Sequence, residues 1–141
     1  MHYTNASLIH KVEKKLNNYS SAVNILLKNA SILLSYSGGI DSSVLAYILI
    51  HLKNKYEFKL GFAHFNHQVH EMSKITEEHC LKYANKNNIN WYNEKLTFNN
   101  MKNFESNARV KRYYMLNKYS ELFHYNFILT AHHKDDQLET I

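Results

Sequence analysis

The sequence predicts an α/β fold with a largely parallel sheet covered on both faces. Three observations carry that prediction. Short apolar runs of strand length alternate with longer segments whose apolar residues recur every three or four positions. The chain has no proline and only three glycines, which argues against turn-rich all-β and collagen-like classes. Its 141 residues, 45% apolar and 21% charged, suit one soluble globular domain with a real core.

Residues 7–29 place Leu8, Val12, Leu16, Val23, Leu26 and Leu27 at helical spacing and read as a helical lead-in over residues 1–30. Residues 31–36 form a short apolar run, the pattern of a buried strand. Residues 41–54 return to helix, with Val44, Leu45, Ile48, Leu49 and Leu52 on one broad face. Residues 58–65 are strand-like, 74–87 helix-like, and 89–96 alternate as a strand. Residues 106–125 are helical, with Tyr113, Leu116, Tyr119 and Phe123 recurring, and 127–131 are another short strand. Such sheets bind ligands beyond the carboxyl ends of their strands, which directs attention to the loops at 37–42, 66–73 and 132–139.

Composition narrows the rest. The single cysteine, Cys80, excludes an internal disulfide framework and a metal site of several thiolates, and fits a reduced, cytoplasmic compartment. Cys80 reads as a small buried residue on the apolar side of its helix. Residues 1–16 are polar and lysine-rich, unlike a signal peptide, and the longest strongly apolar run, 44–50, is far short of the roughly 20 residues a membrane span needs. The net charge of +5 permits contact with a polyanion, yet scattered lysines in an Asn- and Lys-rich chain also give it by composition alone. His64, His67 and His70 are spaced by three, but a strand end running into a loop does not align them for zinc.

The rare residues are not spread evenly. Gly38 and Gly39 are adjacent, within Ser37-Gly38-Gly39-Ile40-Asp41-Ser42, between a strand and a helix. Glycines let backbone N–H groups approach an anion, the helix N-terminus adds partial positive charge, and the serines offer hydroxyls. Asp41 suits a helix cap, a cation or an amine. The loop is neither a Walker A nor a G-x-G-x-x-G motif. It resembles the PP-loop of the ATP pyrophosphatase superfamily, whose members cleave ATP between the α- and β-phosphates. In the last segment, two histidines precede Asp135, Asp136 and Glu139. A helix from Asp135 onward would bring those carboxylates to one face, suiting a divalent cation, an ammonium group or simply the helix dipole.

Ala131-His132-His133-Lys134-Asp135-Asp136-Gln137-Leu138-Glu139-Thr140 is similar to a hallmark of the tRNA(Ile)-lysidine synthetase family within that superfamily. Ala63-His64-Phe65-Asn66-His67, Glu78-His79-Cys80 and Glu105–Tyr113, which holds both arginines of the chain, resemble further family segments in family order. The resemblance implies a Rossmann-like PP-loop domain over 31–141, incomplete at its C-terminus and lacking the tRNA-recognition domains. It also implies ATP-dependent attachment of free L-lysine to the wobble cytidine of an isoleucine tRNA, through an adenylated cytidine. Ser37, Gly38, Gly39, Ile40, Asp41 and Ser42 would hold the pyrophosphate end of ATP, with Mg2+ at Asp41 and Asp135. Asp41, Asp136 and Glu139 would surround the lysine ammonium or the metal. Arg109 or Arg112 would contact the lysine carboxylate or the AMP phosphate, for which a guanidinium is well matched. His132 and His133 would line the nucleotide site. Gln68-Val69-His70 departs from the family's Gly-Leu-Arg, so a phosphate contact from that loop is not expected. A homodimer stays open. The alternatives are a tRNA-thiolating PP-loop enzyme, a group that typically needs more cysteines, and a truncated nucleotide-binding remnant without activity.

Overall fold

The computed structural model describes residues 6–66, 72–95, 104–131 and 138–140. In chain order the elements are helix α1 (Ala6–Ala22), a short 3-10 turn (Leu27–Asn29), strand β1 (Ser31–Ser35), helix α2 (Ile40–Tyr56), strand β2 (Lys59–Asn66), helix α3 (Met72–Lys86), strand β3 (Asn90–Lys95), helix α4 (Phe104–Phe123), strand β4 (Phe127–Ala131) and strand β5 (Leu138–Thr140). The strands form one sheet in the order β3-β2-β1-β4-β5. β1 pairs in parallel with both β2 and β4, and β2 in parallel with β3.

β1 lies at the centre of the sheet, and its sequence suits that place. Ile32, Leu33 and Leu34 are all fully buried, so both faces of the strand must be covered. Alternation then sorts the side chains. Ile32 and Leu34 join the core formed with α1, α2 and α3, where Leu16, Leu49, Leu52, Phe62 and Ala84 also lie. Leu33 points the other way, into a second core with Ala63, Leu116, Tyr119, Tyr125 and Ile128 beneath α4. Gly61 lies on that second face, close under the hydroxyl of Tyr125, where a side chain has no room.

Two expectations need correction. The first helix does not run to residue 29. It ends at Ala22, and Asn24 adopts the left-handed conformation (φ 58°), which Asn tolerates better than most residues. The exposed Val23 and Leu26 lie past that end, so their helical spacing does not mark the buried face. The second correction is at the far end. Leu138–Thr140 is not helical but a short antiparallel strand on the open edge of β4, with Leu129↔Thr140 and Ala131↔Leu138 in register. That edge offers ladder hydrogen bonds to a neighbouring segment, and spacing of carboxylates is not itself a helix signal. The i, i+3 and i, i+4 argument for grouping Asp135 and Asp136 with Glu139 therefore falls. Asp135 and Asp136 lie outside the described residues.

The left-handed residues closing α2, α3 and α4 are Glu57, Asn88 and His124. None is glycine, the usual residue at such positions. No helix among the described residues is long and apolar enough to cross a membrane.

Candidate nucleotide site

The strand order reverses at β1: the chain moves from β1 to β2 on one side and returns to β4 on the other. The crevice beyond the carboxyl ends of β1 and β4 is the expected ligand position in an open α/β sheet. A cavity of about 300 Å³ occupies it. Its walls are the end of β1 and the following loop (Ser35, Tyr36, Ser37, Gly39, Ile40, Asp41, Ser42), Phe65 of β2, Thr130 and Ala131 of β4, and Arg109, Arg112 and Tyr113 of α4.

The loop is held from within. Ser42 is buried, and its Oγ accepts from the amides of Ser37 and Gly38, each at 3.1 Å, and lies 2.9 Å from Ser37 Oγ. Ser37 Oγ in turn accepts from the Gly39 amide at 3.2 Å. Gly38 takes φ +89°, and a Cβ there would stand 2.6 Å from Thr76 Cγ2 and 3.0 Å from Cys80 Sγ. Glycine at 38 thus lets the loop lie directly on α3. Gly39 is the N-cap of α2 in extended backbone, with no side-chain cap. The bond from Ser43 N–H to the Gly39 carbonyl starts the α2 ladder at the loop, so the positive end of the helix dipole lies on the loop side of the cavity. That dipole end makes the loop side attractive to an anion.

α4 supplies the facing wall, which is also positively charged. Arg109 and Arg112 flank the Tyr113 ring, with guanidinium carbons 5.3 and 5.8 Å from its centroid. Both expected arginines therefore meet the loop residues at one cavity. Asp41 is there too, half-buried at the first turn of α2. A single carboxylate is a sparse donor set. It fits Mg2+, which is commonly held by one or two carboxylates together with substrate phosphate oxygens. Among the described residues no cluster of three metal-ligating side chains occurs. Glu139 is placed on β5 by its backbone. His132, His133, Asp135 and Asp136 lie outside the described residues, so their expected places at the site stay expectations.

Six lining residues were not among the expected site residues: Ser35, Tyr36, Phe65, Tyr113, Thr130 and Ala131. Five of them, all but Tyr113, sit at or just past the carboxyl ends of strands, a signal present in the sequence once the strands are placed. Burial and the neighbouring Cys80 push the Tyr36 hydroxyl well above the usual phenol range. Burial likewise raises the Cys80 thiol, so Cys80 is a packed, inert side chain, as its apolar position suggests. His64 is buried and bonded to the Tyr36 carbonyl, which occupies its Nδ1 and weakens a zinc role.

Comparison with known proteins agrees with this fold. The model of a family described as a PP-loop domain matches residues 8–141. The chain is 42% identical over 114 residues to a tRNA(Ile)-lysidine synthase of Buchnera aphidicola subsp. Acyrthosiphon pisum, covering 80% of this chain and 26% of that protein. It is 40% identical over 114 residues to a tRNA(Ile)-lysidine synthase of Lactococcus lactis, covering 81% of this chain and 26% of that protein. The chain thus spans about a quarter of the length of these curated relatives. Among solved structures, the U34-tRNA thiolase NcsA of Methanococcus maripaludis superposes with a TM-score of 0.65 at 22% identity, covering 79% of this chain and 41% of that one. That likeness concerns the fold. With the phosphate-type loop at the switch point of the sheet and a family match over almost its whole length, the chain belongs to the PP-loop domain family.

Proposed function

We propose that this chain is the ATP-binding part of a tRNA(Ile)-lysidine synthetase. The observation that carries the reading is the cavity at the switch point, where the Ser37–Ser42 loop faces Arg109 and Arg112. Curated relatives from Buchnera aphidicola and Lactococcus lactis, 37–42% identical over most of this chain, are named tRNA(Ile)-lysidine synthases, which supports the choice of reaction.

In this reading the loop amides, Ser37 and Ser42 bind the β- and γ-phosphates of ATP. The cytosine carbonyl oxygen of the wobble cytidine attacks the α-phosphorus, and pyrophosphate leaves from the loop. The lysine amine then attacks the activated cytosine carbon, loses a proton, and AMP departs. Arg112, half-buried beside Tyr113, meets the charge on the α-phosphate, and Arg109 meets the lysine carboxylate or the same phosphate. Asp41, with Asp136 and Glu139, offers negative charge to the lysine ammonium, and Asp41 with Asp135 offers it to Mg2+. Bound there, Mg2+ would neutralise the leaving pyrophosphate. Alignment and charge stabilisation are the main contributions, since both partners are polyanions. Thiolation fits this stretch less well, because its single cysteine is buried beneath the loop with a raised thiol pKa.

Two measurements test the reading. In an ATP titration followed by calorimetry, Arg112→Ala should weaken binding about tenfold, the size expected for one charge-assisted contact. No ATP binding by the unmodified chain would overturn the site. In the intact protein, Asp136→Asn should impair the lysine-dependent step while nucleotide binding is kept. Wild-type lysine kinetics in that variant would remove Asp136 from the amine site.

A further inference from the structure

The carbonyl of Tyr36 is the last backbone acceptor before the phosphate loop. The β1–β2 pairing is in register through Ser35↔Ala63, and one more bond follows, from Tyr36 N–H to the Ala63 carbonyl at 2.8 Å. The Tyr36 carbonyl, however, is met by a side chain: His64 Nδ1 lies 2.9 Å from it. A carbonyl only accepts, so Nδ1 carries a proton and donates. His64 is 3% exposed, and its ring stacks on Trp91 with centroids 5.6 Å apart and planes 20° from parallel. Trp91 in turn packs against the main core. The imidazole is therefore held in one orientation by a rigid wall, aimed at the peptide from which the loop departs.

We propose that His64 is a positioning residue for the phosphate loop: its Nδ1–H, donated to the Tyr36 carbonyl, fixes the peptide that sets the path of Ser37 and Gly38. The immediate consequence is visible in the loop. The amides of Ser37 and Gly38 both point at Ser42 Oγ, a geometry that a rotation of the preceding peptide would lose. His64 touches no part of the nucleotide in this scheme. It acts through Tyr36, whose side chain is fixed independently by Phe62, edge-on at 4.9 Å. Only the affinity half of the test below rests on the proposed ATP reading.

Three substitutions separate donation from packing. His64→Asn places its amide nitrogen where Nδ1 stands and loses the ring. His64→Phe keeps a ring on Trp91 and loses the donor. His64→Gln puts its nitrogen at the Nε2 position and serves in place of Phe if that variant does not fold. The readout is hydrogen exchange at the Ser37 and Gly38 amides without nucleotide, referenced to Ile32 and Leu34 in the same strand. Loss of the donor should speed loop exchange about tenfold, while Asn should stay within about threefold of the unmodified chain. ATP affinity should follow the same order, about tenfold weaker for Phe or Gln and restored by Asn. A purely packing role reverses the order, with Phe tolerated and Asn damaged, and that outcome overturns the proposal. Unchanged exchange in all three also overturns it. If the unmodified chain binds no ATP, the nucleotide reading fails, and the exchange measurement still decides the role of His64.

Discussion

Alanine at position 38 and alanine at position 39 should have very different effects, although the two glycines are neighbours in one motif. Gly38 has φ +89°, where an L-residue pays roughly 1–2 kcal/mol. Its Cβ would also stand 2.6 Å from Thr76 Cγ2 and 3.0 Å from Cys80 Sγ, and overpacking of that kind costs about 1–3 kcal/mol. Together Gly38→Ala should destabilise the chain by about 2–5 kcal/mol, a large share of a typical stability. Gly39 lies in extended backbone, and its Cβ would meet only Ser37 Oγ, at 3.4 Å. Gly39→Ala should cost about 1 kcal/mol or less, from a poorer N-cap. Urea unfolding followed by circular dichroism reads both values from the midpoint and slope. Thr76→Ser removes the nearest colliding methyl, so the double variant Gly38→Ala/Thr76→Ser should recover about 1–2 kcal/mol, the packing part alone. Equal effects at the two positions, or a Gly38→Ala variant within 1 kcal/mol of the unmodified chain, would refute the claim that the loop lies directly on α3.

Three further outcomes follow from the geometry. Gly61→Ala should destabilise by about 3 kcal/mol, because its Cβ would fall 2.3 Å from the Tyr125 hydroxyl oxygen, and Tyr125→Phe in the same chain should relieve part of that loss in thermal melts. Glu57→Gly should stabilise by about 0.5–1 kcal/mol in the same unfolding assay, since Glu57 caps α2 in the left-handed conformation and places a carboxylate at the negative end of the helix dipole. Glu13, on α1, accepts from Lys55 at 2.6 Å and from the Tyr56 hydroxyl on α2, and these bonds hold its carboxyl below the ordinary range. Its pKa is lower folded than unfolded, so its contribution is present above the unfolded value near 4.5 and is lost as pH falls through the folded value. The melting temperature should accordingly drop more steeply below pH 5 than it does in Glu13→Gln, which should melt a few degrees lower at neutral pH and lack that part of the acid dependence.

Much of this architecture is legible in the residues, for physical reasons that differ by element. β1 and β4 announce themselves because a strand buried on both faces must be apolar throughout, and Ile32–Leu34 and Phe127–Leu129 are. The loop is legible because two of three glycines adjoin there, and Gly38 proves to need both its φ and its missing side chain. Helix ends are less legible, because Asn24, Glu57, Asn88 and His124 take positions where glycine would have flagged a stop. β5 was hidden for another reason: three residues pair with an edge that only the assembled sheet creates. The cavity walls are partly hidden as well. Tyr36, Phe65, Tyr113 and Thr130 come from four separate elements, and each reads locally as an ordinary core or strand residue. His64 reads as one polar residue in an apolar strand, and its bond to Tyr36 exists only after β1 and β2 pair in register.

The role proposed for this loop is in a ligase that joins lysine to tRNA at the expense of ATP. The most direct test supplies the intact protein with ATP, radiolabelled lysine and an isoleucine tRNA bearing a wobble cytidine, and counts both products. The account predicts one lysine joined to the tRNA for each AMP released, with no AMP formed when the cytidine is replaced. AMP release without lysine transfer, or lysine-independent modification of the tRNA, would contradict it.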